Sequence, residues 1–437
     1  MSRIPLLLWI VALCWLLSGP ARAFDIQQVV SPGGIEAWLI EDHSNPIIAL
    51  KIGFRGGAGL DPVGKEGLAI FAAATIDEGA GDLDSEAFQR TLADQSISLS
   101  FDAGRDSVSG SLATLTENRD QAFDLLRRAL TAPRFDDEAV ERIREQLLVN
   151  ARREETNPSA VAGKRLMAHL FPDHPYGRTT DGSPASLVTI THDDLRTFVA
   201  ARFGRDNLVI GVVGDITAAD LAPILDTTFG GLPEKAAPWE LPDAEPAADG
   251  SVEIIDMDVA QSAITFAHGG IRRDNPDFYA ATVMNYLLGG GSFKSRLYTE
   301  VREKRGLAYS VYSYLYPLDH AALLAGGAGT ANARAGETVQ VLRDVWRGMA
   351  RDGISQSELE DAKTYLTGSF PLRFTSSGKI AGILMAVQME NLGIDYLDRR
   401  NDLIEAVTLE DVNRVISRLL QPDKMTFVIV GRPEGVN

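Results

Sequence analysis

The chain has 437 residues, 45% of them hydrophobic and 23% charged, and a formal net charge of −18. Such a composition supports a sizeable buried core and excludes a disordered or fibrous chain. The acid excess argues against nucleic-acid binding through phosphates. It favours basic partners through steering, and serves solubility equally well.

Residues 1–23 read as a secretory signal. Arg3 supplies the positive start, Ile4 to Leu17 is uncharged and apolar, and Ala21-Arg22-Ala23 has the small-x-small pattern of a cleavage site. The apolar run is about 14 residues, short of the roughly 20 needed to span a bilayer. Cleavage after Ala23 and a periplasmic location are the expectation. The leader carries Arg3 and Arg22 and no acid, so its removal takes the net charge from −18 to −20. The single cysteine, Cys14, lies inside the leader. The mature chain then has no disulfide, no thiol nucleophile and no Cys ligand, and core packing must hold it together. No later segment is long and apolar enough to be a transmembrane helix.

The first clear element is an Ala-rich helix, Leu68 to Thr75, whose small side chains suit close packing. Ser96 to Ala103 alternates as a half-buried strand, with Ser107 to Leu115 as its hairpin partner. Arg119 to Leu130 and Asp136 to Arg152 are amphipathic helices; in the second, Val140, Ile143, Leu147 and Leu148 recur at helical spacing. Phe171 to Gly177 is a turn with an aromatic anchor. Thr191, followed by acids, reads as an N-cap before a helix, and Asn207 to Gly214 as a buried strand.

That last pattern recurs. Thr408 caps a second helix and Met425 to Gly431 is a second buried strand, with Asp194/Asp411 and Gly214/Gly431 at the same separation along the chain. The chain is therefore two similar halves. Residues 232–250, with Pro233, Pro238, Pro242 and Pro246 among alanines and acids, form the linker. The first half covers 24–231 and the second 251–437. Strand pairs, helix pairs and a final strand predict an α+β fold, an α/β sandwich in each half.

The chemistry-bearing residues are sparse. The six histidines are His43, His169, His174, His192, His268 and His320. No two are four apart, and Pro172 separates His169 from His174, so no helical face presents a ligand pair. No Gly-x-Ser-x-Gly elbow occurs. The run Gly289-Gly290-Gly291 lacks the Gly-Lys-Ser/Thr of a phosphate loop. It is either a flexible substrate-contacting loop or a helix C-terminus with glycine stops. Composition alone makes Arg302 a solvated charge in a basic last turn with Lys304 and Arg305.

Two segments carry a family resemblance. Gly64 to Thr75 resembles the Gly-Leu-Ala lead-in and His-x-x-Glu-His helix of the insulinase/pitrilysin (inverzincin) zinc metallopeptidases. There, two His bind zinc and the Glu is general base. Those positions fall here at Ile70, Ala73 and Ala74, and the third ligand near Asn150 and Ala151, with Glu154 and Glu155 slightly later. The second segment, Gly289 to Val311, is similar to the family's second-half motif. The resemblance implies that Arg302 and Tyr309 reach across a clamshell to a zinc site in another half or subunit, with Arg296 and Gly289 to Gly291 as substrate-binding elements. A phenol can stabilise the oxyanion of peptide hydrolysis, and a guanidinium can hold a substrate carbonyl.

The resemblance implies a non-catalytic subunit with no cofactor of its own. A partner with an intact His-x-x-Glu-His would carry the zinc, the substrate would be an unfolded peptide, and a homodimer could form without that partner. A binding or assembly subunit without any catalytic role is the alternative. An active peptidase with unconventional ligands has no ligand-spaced residues to support it.

Overall fold

The structure, a computed structural model, describes residues 25–436. The expected leader, 1–23, lies outside the described residues.

In the first half, β1 (Gln27–Val30), β2 (Glu36–Glu41), β3 (Ile47–Arg55), β4 (Ser98–Ala103), β5 (Ser107–Leu115) and β6 (Leu208–Gly214) form one sheet ordered β1-β2-β6-β3-β5-β4. In the second, β7 (Val252–Asp256), β8 (Gln261–Gly269), β9 (Ala308–Pro317), β10 (Ala322–Ala331) and β11 (Thr426–Gly431) are ordered β7-β11-β8-β10-β9. Apart from β1, the orders match strand for strand. The pairs β2–β6 and β7–β11 are parallel and all others antiparallel. The sequence repeat is a repeat of topology.

Its local causes are the same in both halves. Thr191 and Thr408 each close a capping box, accepting from the backbone N–H of Asp194 and Asp411, whose carboxylates bind the threonine N–H in return. These bonds hold the Asp411 carboxyl down at about 2. Gly214 and Gly431 close the last strands at φ +142° and +146°, a region that favours glycine.

The first-half helices are α1 (Leu68–Thr75), α2 (Ser85–Asp94), α3 (Arg119–Thr131), α4 (Asp137–Glu155), α5 (Pro158–Leu170), α6 (Pro184–Leu187), α7 (His192–Arg202) and α8 (Ala218–Phe229). The second half has α9 (Phe278–Asn285), α10 (Ala335–Asp352), α11 (Gln356–Gly368), α12 (Ser377–Met389), α13 (Tyr396–Glu405) and α14 (Leu409–Leu419). The expected hairpin is present. β4 starts at Ser98 because Ser96 turns at φ +52°, and Asp136 is the N-cap of α4.

The two halves exchange a helix. From the first half, α5 buries Ala162, Leu166 and Leu170 on the second sheet, against Ala267, Val428 and Val430. From the second half, α12 buries Ala381, Leu384 and Val387 on the first, against Trp38, Ile40 and Val213. Gly211 of β6 permits that approach, since a Cβ there would stand 2.6 Å from the Ala381 carbonyl oxygen. The exchange explains why β6 and β11 are apolar on both faces.

Two further contacts close the seam. The hairpin tips meet where Tyr176 donates to Asp106 at 2.6 Å while its oxygen accepts from the His320 N–H at 3.1 Å. Tyr176, the expected aromatic anchor, is wholly buried. The stretch 232–250 has no regular structure, yet it is strapped down. Ala237 binds Ala201, Ala244 binds His320 and Ala247 binds Leu170 through the backbone. Trp239 stacks under Arg202 at 5.2 Å.

Candidate functional site

Helix α1 starts after Gly67, at φ +93°. The Asp61 carboxylate accepts from the N–H groups of Gly67 (2.9 Å) and Ala69 (3.1 Å), capping it from outside the helix. Ala73 is 1% exposed, and Ile70 and Ala74 pack partly buried on the same core. Helix α4 lies against α1. Its Arg144 sits 5.0 Å over the Phe71 ring and donates to the Leu187 carbonyl. Asn150 is exposed and Ala151 buried. Glu154 is paired with Lys164 of α5, and Glu155 is exposed at the helix end.

Zinc needs nitrogen, sulfur or carboxylate donors on three sides. Ile70, Ala73, Ala74 and Ala151 offer only hydrocarbon. Among the described residues, no three His, Cys, Asp or Glu side chains converge where a metal could sit. The donor set does not fit zinc, and Ala73 can move no proton.

The second-half segment is built differently. Helix α9 runs into a widened π-helical turn, Tyr286–Gly290, and a second one spans Tyr298–Glu303. Such insertions recur at functional sites. The three glycines end a helix packed flat on β9. A Cβ at Gly289 would lie 2.4 Å from Ser313 Oγ, one at Gly290 2.6 Å from Asn285 Nδ2, and one at Gly291 2.6 Å from the Tyr286 oxygen. Close approach demands glycine here. Arg296 donates through Nη2 to Glu358 Oε1 and to the Gly353 oxygen, both at 2.8 Å, tying the segment to the start of α11.

Arg302 and Tyr309 do come together. The guanidinium carbon lies 4.4 Å from the Tyr309 ring centroid and 5.0 Å from that of Tyr298. Phe293 packs edge-on against Tyr298 at 5.0 Å. Tyr309 is 82% exposed, and Arg302 and Tyr298 are half-buried. Among the described residues, no carboxylate lies within ion-pair distance of Arg302, so its donors remain available.

A β-bulge aims Tyr309. Ala308 pairs with Thr330 and Val311 with Ala328, leaving Tyr309 and Ser310 opposite Gly329. The extra residue keeps both Ala308 and Val311 buried while Tyr309 turns outward. Beyond it, Tyr312, Tyr314 and Tyr316 form a ladder along β9, an edge strand, with successive centroids 6.1 and 6.0 Å apart. Sequence reading missed the bulge and Tyr298. The four-residue step from Tyr298 to Arg302 was a usable signal; the bulge, set by cross-strand register, left none.

Two repeated α/β sandwiches, an α1 without metal donors and an Arg/Tyr stack define a class of protein with a metallopeptidase frame whose zinc-site positions are empty of ligands. Comparison with known proteins agrees. The family model for insulinase (peptidase family M16) matches residues 37–183, and that for the peptidase M16 inactive domain matches 189–366. A crystal structure of a peptidase M16 inactive domain from Pseudomonas fluorescens is 30% identical, covers 94% of this chain and 99% of its own, and superposes with a TM-score of 0.87. The non-peptidase homolog YmxG of Helicobacter pylori is 28% identical over 89% of this chain and 90% of its own length. An uncharacterized zinc protease of Mycobacterium tuberculosis is 26% identical over 92% of each. The chain belongs to peptidase family M16, as an inactive member.

Proposed function

We propose that this chain is the non-catalytic subunit of a periplasmic zinc-peptidase heterodimer. A partner carrying His-x-x-Glu-His supplies metal and base, and this chain closes the chamber around an unfolded peptide. The observation that carries the reading is the Arg302/Tyr309 stack. A cation on the π-helical turn, Arg302, is stacked at 4.4 Å on a phenol that β9 turns outward, Tyr309. A site across an interface would use Arg302 to hold a substrate carbonyl and Tyr309 to donate to the oxyanion. Gly289 to Gly291 and Arg296 then shape the cleft edge beside them. Export through residues 1–23 places the complex in the periplasm.

The experiment is recovery of the tagged chain from its native compartment, with its companions identified by mass spectrometry, followed by peptide cleavage with each subunit alone and together. A stoichiometric His-x-x-Glu-His companion whose cleavage rate rises on adding this chain is the expected result. Recovery of the chain alone, with no effect on any such peptidase, refutes the proposal. The alternative, an assembly subunit without catalytic role, predicts that substituting Arg302 and Tyr309 leaves cleavage by the complex unchanged.

A further inference from the structure

A pocket of about 260 Å³ opens on the seam between the halves, away from the Arg302/Tyr309 stack. Its floor is apolar, made by Leu166 of α5 with Leu323 and Ala325 of β10, and Tyr314 and Tyr316 of β9 form one wall. Three cations line it, Arg105, Lys164 and Arg178, against a single acid, Asp181. A lining of net charge +2 stands out in a chain of net charge −18.

The cations are not all neutralised. Lys164 is paired with Glu154. Arg105, however, donates through Nη1 to the carbonyls of Tyr176 and Arg178, at 2.8 and 3.3 Å, and its buried Nε has no partner among the described residues. Arg178 donates to the carbonyls of Asp61 at 2.7 Å and Gly59 at 3.5 Å, and is ion-paired with Glu66 at 4.0 Å. Burial, with the nearby Glu154 charge, raises the Asp181 carboxyl above its usual range.

Gly163 lies inside α5 and on the pocket wall. Glycine in a helix interior is destabilising relative to alanine. Packing does not require it here, because a Cβ built on Gly163 meets nothing within 4 Å. The missing side chain leaves open space on the pocket side of the helix.

We propose that this seam pocket holds the C-terminal residue of a bound peptide, its free carboxylate facing Arg105 and Arg178 and its apolar side chain seated between Tyr314 and Leu323. This rests on the peptide-binding reading above and adds a preference for free, apolar C-termini.

The test uses the purified chain and a peptide, Gly-Ser-Gly-Ser-Phe, labelled at its N-terminus, followed by fluorescence anisotropy. The free acid is expected to bind on the order of 10-fold or more tighter than its C-terminal amide, because charge-assisted bonds are lost in the amide. Gly163→Phe fills the open space and removes binding of the acid. Asp181→Asn deletes the opposing acid and tightens binding roughly 3-fold. Equal binding of acid and amide, or no binding of either, overturns the proposal on the unaltered chain, whatever the folding of any variant. Retained acid preference in a folded Gly163→Phe variant relocates the site and overturns it too. Partner-stimulated cleavage that is blind to Gly163→Phe would leave the accessory-subunit reading standing while the pocket proposal fails.

Discussion

Acid should weaken this protein through one buried histidine. His268 of β8 is fully buried. Its Nδ1 donates to the Gly269 oxygen at 2.8 Å, and its Nε2 accepts from Trp346 Nε1 of α10 at 2.9 Å. That pattern fits only the neutral ring, and burial lowers its pKa from 6.5 to about 4. Because the folded value is depressed, the unfolded chain binds the extra proton between these two values. Stability from the neutral ring is complete above pH 6.5, falls as pH drops toward 4, and is fully lost below it. The limit is about 3.4 kcal/mol, at 1.36 kcal/mol for each of about 2.5 pH units. At pH 5 the same linkage gives a loss of about 2 kcal/mol.

The perturbation is His268→Gln, which keeps a donor and an acceptor and cannot titrate. Urea unfolding at pH 8 and pH 5 should show the wild type losing about 2 kcal/mol more than the variant between the two pH values. Titration of all other groups cancels in that difference. Parallel stability curves for the two proteins would mean that His268 is not held neutral, and the reasoning from burial would be wrong.

Three further outcomes are expected. Ile70→His, Ala73→Glu and Ala74→His together should restore neither stoichiometric zinc nor peptide cleavage, because Asn150 and Ala151 still supply no third ligand; elemental analysis and a cleavage assay check this. Arg302→Ala and Tyr309→Phe should leave the melting temperature nearly unchanged, since Tyr309 is exposed and the half-buried Arg302 has no ion pair among the described residues, and lower cleavage by the heterodimer by about 10²–10³-fold. Gly211→Ala should cost about 1–3 kcal/mol in denaturant unfolding, because the new methyl meets the α12 backbone at 2.6 Å.

Much of the site was legible along the chain. That α1 lacks donors follows from Ile70, Ala73 and Ala74 alone, because side-chain chemistry at a position is a local property. The pairing of Arg302 with Tyr309 rested on motif likeness, and the structure supplies its geometry. The glycines at 289–291 were ambiguous for a physical reason. A loop and a helix end need the same residue, and only the nearness of Ser313 shows that close packing is what requires it.

The sequence by itself determined what local forces govern. Thr191 and Thr408 start helices, the alternation in Ser107 to Leu115 makes a half-buried strand, and the recurrence of cap, helix and apolar strand makes two like halves. Tertiary structure decided everything that depends on which surface meets which. It placed α5 and α12 on each other's sheets, turned residues 232–250 into a strap, and set the bulge that exposes Tyr309. It also brought Gly163 of one half over Tyr314 of the other. The reason is that periodicity fixes which face of an element is apolar, whereas the identity of the covering surface depends on contacts between residues far apart in the chain.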